Sequence, residues 1–297
     1  MKYIKSPLNY TGGKYKLLSQ ILPLFPSDIN KFVDLFAGGC NVAINVKANE
    51  KICNEVDEHL IALFEYFKSN DSSTVIDSVK NVIKEYGLSD TATYGYEYYG
   101  CDSSSGVAKY NKEKYLKLRE DYNKNTTNSL YFFVVAMFAF SNQIRFNSDG
   151  HFNMPVNKRD FNKNVEKNTI KFVDELDESY TFVNYDFRDI DLSGLTKDDM
   201  VYCDPPYLLT LATYNENGGW TEKDERDLLD ILDGLNDRGV RFALSNVFEC
   251  KGKSNDILKE WSKKYNVHYI KSDYRQCNYG RKRENKNDTV EVLIANY

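Results

Sequence analysis

A chain of 297 residues, 41% of them apolar, can bury a large core, either as one large domain or as a domain carrying an insertion. Its net charge of −5 excludes a uniformly basic surface, yet residues 174–237 hold 18 acids against 4 bases, whereas 109–171 hold 12 bases against 6 acids and 251–286 hold 11 against 4, as expected of a phosphate-facing side and an acidic outer side. The longest apolar run, 130–140, is too short to span a bilayer, and neither the six cysteines nor the three histidines are spaced as metal ligands, so no membrane and no metal partner is expected.

Residues 1–26 carry only basic charges and no secretory apolar segment, which fits a cytoplasmic protein with reduced thiols. A first strand is predicted at 32–36. It runs through Asp34 and Phe36 into the turn Ala37-Gly38-Gly39-Cys40, then into an apolar helix through Ala43, Ile44 and Val46. Glycines at such a turn let the backbone approach a ligand closely. A second strand at 51–55 ends in Glu55, a carboxylate placed to take a ribose's hydroxyls, with Asp57 competing for that role. With no G-x-G-x-x-G present, the pattern suits a nucleoside-containing cofactor better than a pyrophosphate; a βαβ unit that binds nothing is the alternative.

The strand–helix alternation breaks between 60 and 164, where helical patterns and a tyrosine-, glycine- and serine-rich loop at 91–106 predict an inserted domain. Within it, Ser148-Asp149-Gly150 between two short alternating runs signals a hairpin. Gln143 and Arg145 then share a face, and these side chains suit bidentate contact with adenine and guanine in a major groove. A structural hairpin whose arginine meets a phosphate or an internal acid is the alternative.

Further strands are predicted at 180–184, 200–203, 240–246, 266–270 and 289–295, with a helix over 222–237 capped by Thr221. The pattern predicts a largely parallel α/β sheet with helices on both faces. Its last two strands form an antiparallel hairpin around the basic tract Arg281-Lys282-Arg283, which is placed to meet phosphates. At the end of strand 200–203 stands Asp204-Pro205-Pro206-Tyr207. A carboxylate, two prolines that hold the chain extended and project carbonyls, and a stacking face together suit a planar amine gripped edge-on and face-on. Ligands bind outside the carboxyl ends of strands in open α/β sheets, which favours this reading over a mere strand stop with a core tyrosine.

Taken in order, Asn9-Tyr10-Thr11-Gly12-Gly13-Lys14, the turn from Asp34 to Val42, Asp186-Phe187 and Asp204-Pro205-Pro206-Tyr207 resemble the Dam-type, D12 class DNA adenine-N6 methyltransferases over nearly the whole chain. The resemblance implies a Rossmann-like methyltransferase sheet formed by 1–59 and 165–297, with 60–164 as an inserted, mainly helical target-recognition domain carrying a β-hairpin. It implies S-adenosyl-L-methionine as cofactor, held by Tyr10, Lys14, Asp34, Phe36, Ala37, Gly38, Gly39, Glu55, Asp186, Phe187 and Asp204; because a lysine is electrostatically awkward beside a cationic ligand, orienting Asp204, the cofactor carboxylate or the DNA is the alternative role for Lys14. Catalysis is implied for Asp204, Pro205, Pro206 and Tyr207, on an adenine flipped from double-stranded DNA. Arg145, Asn147, Gly150, Phe152, Asn153 and Pro155 match the family's target-reading hairpin, whereas Ser141-Asn142, Gln143 and Cys40 depart from its usual residues. The departures leave the target sequence open, GATC included, and a cognate restriction endonuclease is an allowed partner. An RNA or protein-amide methyltransferase, and a DNA-binding protein of this fold that has lost catalysis, are the competing readings.

Overall fold

The computed structural model describes residues 3–209, 219–271 and 289–297. Its helices are α1 (Leu18–Ile21), α2 (Glu58–Lys68), α3 (Ser72–Glu85), α4 (Thr91–Tyr94), α5 (Ala108–Lys124), α6 (Ser129–Phe138), α7 (Lys163–Val173), α8 (Glu222–Asp237) and α9 (Asp256–Ser262). The strands are β1 (Ile29–Asp34), β2 (Ala48–Asn54), β3 (Tyr180–Val183), β4 (Met200–Cys203), β5 (Arg241–Cys250), β6 (Lys253–Ser254), β7 (Asn266–Ile270) and β8 (Val290–Ala295). Two compact units result: one from residues 1–13, 38–45 and 57–184, the other from 14–37, 46–56 and 185–297.

In the second unit β2, β1, β4 and β5 lie parallel in that order; β8 then pairs antiparallel with β5, and β7 antiparallel with β8. Every position of β4 is buried, which its unbroken apolar sequence permits and an inner parallel strand requires. Helix α8 opens on a capping box between Thr221 and Asp224, and buries Leu228, Leu229, Leu232 and Leu235 in a core with Val201, Leu244 and Ile294.

The last two strands pair antiparallel, as expected, but β8 is no edge strand: it lies between β5 and β7. Five of its six residues are buried and need a neighbour on both sides, whereas β7 exposes Asn266 and Tyr269 and tolerates the edge. Nor does an α-helix follow the glycine turn. Only one 3-10 turn forms, Ala43–Asn45, because the Asn45 side chain pairs with both backbone groups of Ile4 at 2.8 Å and the chain enters β2 directly afterwards.

The first unit is mainly helical. Helix α6 is buried at seven positions from Phe132 to Phe138, so most of the apolar run 130–140 serves as core, although Phe140 is exposed, and among the described residues no helix is long and apolar enough to cross a membrane. Phe64 of α2 meets Phe182 of β3 at 5.3 Å and Phe172 of α7 at 5.8 Å. Part of the segment read as a loop at 91–106 is ordered into α4 and a 3-10 turn, Glu97–Tyr99, because Asp90 caps the amide of Thr93 and Tyr94 stacks on Tyr98 at 4.8 Å.

Candidate active site

In the second unit the chain leaves β1 on one side to form β2 and returns to form β4 on the other, so β1 and β4 flank a point where the strand order reverses. Their carboxyl ends deliver Asp34 and Asp204, the position at which open α/β sheets bind ligands. The Leu35 amide donates to the Tyr202 carbonyl at 2.9 Å, which ties the two exits together.

Asp204 is held from two directions. Lys14 Nζ lies 2.6 Å from its Oδ1, and the Tyr207 hydroxyl donates to the same oxygen at 3.1 Å. Lys14 Nζ also sits 5.0 Å from the centroid of the Tyr207 ring. Lys14 is 5% exposed and Asp204 17%, so water screens the pair weakly. Burial pushes the Asp204 carboxyl above the usual carboxylate range, while the Lys14 charge, its hydrogen bond and the Tyr207 hydroxyl pull the other way. Pro205 is buried and Pro206 exposed. The neighbouring Cys203 thiol is pushed well up by burial, then by the charges of Asp34 and Asp204, and stays protonated as a packing group.

The same unit holds the other acids and the aromatic groups singled out by sequence. Asp34 is 1% and Glu55 7% exposed. Asp57, the rival for the ribose role, belongs instead to the first unit, where it is the N-cap of α2 and accepts from the His59 amide at 3.0 Å. Phe36 and Phe187 meet at 5.4 Å, and both meet Trp220, at 5.7 and 5.3 Å. Asp186 is exposed and accepts from the amide and guanidinium of Arg188, which also grips Asp224 and Asp227. The Ala37 amide donates to the Asn54 carbonyl at 2.8 Å.

Sequence reading missed Asn54. Its buried amide donates to the Leu35 and Tyr185 carbonyls, each at 3.1 Å, and accepts from the Tyr185 amide at 3.0 Å, joining the exit of β1 to the segment that carries Asp186 and Phe187. Its signal was a polar residue at the buried end of an apolar strand. Trp220 was missed for lack of any local pattern.

In the first unit, Tyr10 packs against the glycine turn. Gly38 has φ +50°, and a Cβ there would lie 2.9 Å from Cδ1 and Cε1 of the Tyr10 ring; a Cβ on Gly39 would lie 3.0 Å from Tyr10 Cβ. Cys40, where the resembled family often has glycine, is itself left-handed at φ 58°. Gly38→Ala is therefore expected to lose roughly 1 to 3 kcal/mol of stability through backbone strain, and more through the ring. Gly87→Ala provides the control in chemical denaturation, since it has φ +64° and only Lys114 Cε at 3.9 Å. Equal losses in the two variants would remove the ring contact as a cause.

Also in the first unit, Phe146 and Phe152 form an antiparallel bridge, with the Asn147 side chain accepting from the amides of Asp149 and His151. Gln143 and Arg145 are exposed while Ile144 and Phe146 are partly buried, the alternation of an extended segment. Arg145 Nε donates to Asn153 Oδ1 at 2.7 Å, and Pro155 is exposed. Arg281, Lys282 and Arg283 lie outside the described residues. Among the described residues, no three His, Cys, Asp or Glu side chains group as metal ligands.

The chain is similar in sequence to known proteins. The chain is 41% identical to the modification methylase StsI of Streptococcus sanguinis over 305 residues, and 41% identical to the type II methyltransferase M.FokI of Planomicrobium okeanokoites over 302, covering 100% and 99% of this chain. It spans 43% of the length of each of these relatives. Against the DNA adenine methylase of Escherichia coli K12 it is 24% identical over 306 residues, 100% of this chain and 96% of that protein. The description of the D12 class N6 adenine-specific DNA methyltransferases matches residues 10–276, from Tyr10 past the Lys14–Asp204 pair, and the chain belongs to that family.

Proposed function

We propose that this chain transfers a methyl group from S-adenosyl-L-methionine to N6 of an adenine at a specific site in double-stranded DNA. The observation that carries this reading is Asp204, held by Lys14 and Tyr207 on one oxygen at the reversal point of the sheet. Both contacts fall on Oδ1, so Oδ2 and the Pro205 carbonyl are the acceptors offered to an exocyclic amine. The amine's lone pair is delocalised into the ring, and two acceptors on its hydrogens favour a pyramidal nitrogen poised for in-line attack. Tyr207 presents its ring to the adenine, offsetting part of the roughly few kcal/mol that extrusion from the duplex costs.

The donor chemistry fits the cofactor: Glu55 suits ribose hydroxyls, Asp186 and Asp34 suit amine or cationic groups, and Phe36 with Phe187 supplies an apolar wall next to Ala37. Tyr10, Gly38 and Gly39 keep the cofactor role that the resemblance assigns them. When bound, S-adenosyl-L-methionine supplies an electrophilic sulfonium methyl. Lys14 serves to hold Asp204 ionised and oriented.

Residues 60–164 act in this reading as the target-recognition insertion, with Gln143, Arg145, Asn147, Asn153 and Pro155 facing DNA and Arg281, Lys282 and Arg283 meeting phosphates. A cytoplasmic setting accompanies it, and a cognate restriction endonuclease is an allowed partner. Base-modification sequencing of DNA from cells expressing the chain tests the whole: N6-methyladenine in one sequence context is expected. Methylation of another base, or none while the cofactor binds, would overturn it.

Arg145→Ala is expected to weaken specific binding by roughly 1 to 3 kcal/mol and to relax preference at one base pair. Binding measured across a library of duplexes checks this. A uniform loss without a change of preference would reassign Arg145 to a phosphate.

A further inference from the structure

The segment that returns from the turn at 148–150 is supported by side chains of α5. Asn123 Nδ2 donates to the Phe152 carbonyl at 3.1 Å, and the Phe152 amide donates to Asn123 Oδ1 at 2.8 Å, so one side chain occupies both backbone groups of that residue. Two residues on, the Met154 carbonyl accepts from the Tyr115 hydroxyl at 2.9 Å and from Arg119 Nη1 at 2.8 Å. Tyr115, Arg119 and Asn123 are four residues apart in turn and line one stripe of α5.

This stripe substitutes for a neighbouring strand. Phe146 and Phe152 make a single bridge, and a two-stranded ribbon of that size is not self-supporting in water. Phe152 and Met154 are 1% and 4% exposed, so alternation turns Asn153 the other way, and there it holds Arg145 through the 2.7 Å bond to Nε. The chain of contacts therefore runs from α5 through the Phe152 and Met154 carbonyls to Asn153 and on to the guanidinium.

We propose that Asn123, backed by Tyr115 and Arg119, is a positioning residue for target recognition: it sets the height of the returning segment and so the base pair that Arg145 reads. The inference rests on the reading of 143–155 as the DNA-reading segment. A bidentate arginine–base contact needs sub-ångström placement, and the residues that supply it are those that fix the backbone behind it.

The test uses the full chain, the preferred duplex found by modification sequencing, and all its single-base-pair variants. Asn123→Ala is expected to reduce discrimination at the base pair that Arg145→Ala also relaxes, by roughly tenfold to a hundredfold, with affinity for S-adenosyl-L-methionine unchanged. Asn123→Asp keeps the acceptor for the Phe152 amide and loses the donor to its carbonyl, so it is expected to fall between wild type and alanine. Tyr115→Phe removes one of two donors to Met154 and is expected to have the smallest effect. If Asn123→Ala does not fold, as judged by circular dichroism, the other two variants decide. Wild-type discrimination in the folded Asn123 variants, or an equal loss of rate at every site, would overturn the proposal while Arg145→Ala still relaxes preference. If Arg145→Ala itself leaves preference intact, the DNA-reading assignment fails, and the proposal with it.

Discussion

Replacing Asp204 with alanine is expected to lower the single-turnover rate of methyl transfer on duplex DNA by at least about 10² to 10³, the scale for losing one preorganised group aimed at developing charge. Asp204→Asn is expected to fail nearly as badly, although it preserves shape. It removes the charge that polarises the amine, and it leaves the Lys14 ammonium, 5% exposed, without the carboxylate it meets at 2.6 Å. A wild-type single-turnover rate in either variant would remove Asp204 from the mechanism.

Lys14→Met is expected to give the second largest effect, and through Asp204. Burial already raises the Asp204 carboxyl, and the Lys14 charge and hydrogen bond are the chief influences opposing that rise. Without them the carboxyl climbs further and protonates, which caps the loss of stability but removes the acceptor for the amine. The sign follows from linkage. In wild type the folded state binds the Asp204 proton more tightly than the unfolded chain, so stability falls as pH rises from the unfolded to the raised folded value, while activity increases over that window. In Lys14→Met the acid limb of kcat/KM should move to higher pH. A limb at the wild-type position would show that Lys14 does not tune Asp204. The double variant Lys14→Met with Asp204→Asn should recover stability relative to either single change and remain inactive, which separates the ion pair's part in folding from its part in chemistry.

Strand positions were legible in the sequence because they rest on near neighbours. The runs at 180–184, 200–203 and 266–270 correspond to β3, β4 and β7, and Thr221 caps α8 as its spacing to Asp224 implies. The acid at the end of β4 was equally legible, since a strand's register carries its last residue to the sheet's rim. The apolar pattern after the glycine turn misled, because Asn45 finds its partner in Ile4, far back in the chain.

By itself, then, the sequence determined which residue types stand at strand ends, and the motif order that places the chain in its family. Tertiary structure alone decided that β8 inserts between β5 and β7, that Asn54 joins the exit of β1 to Tyr185, and that Asn123 carries the Phe152 backbone, and among the partners open to Lys14 it selected Asp204. Periodicity reports only neighbours within one strand or a few helical turns. These contacts join residues whose proximity depends on the packing of whole elements, and a buried polar group accepts whichever partner that packing brings within reach.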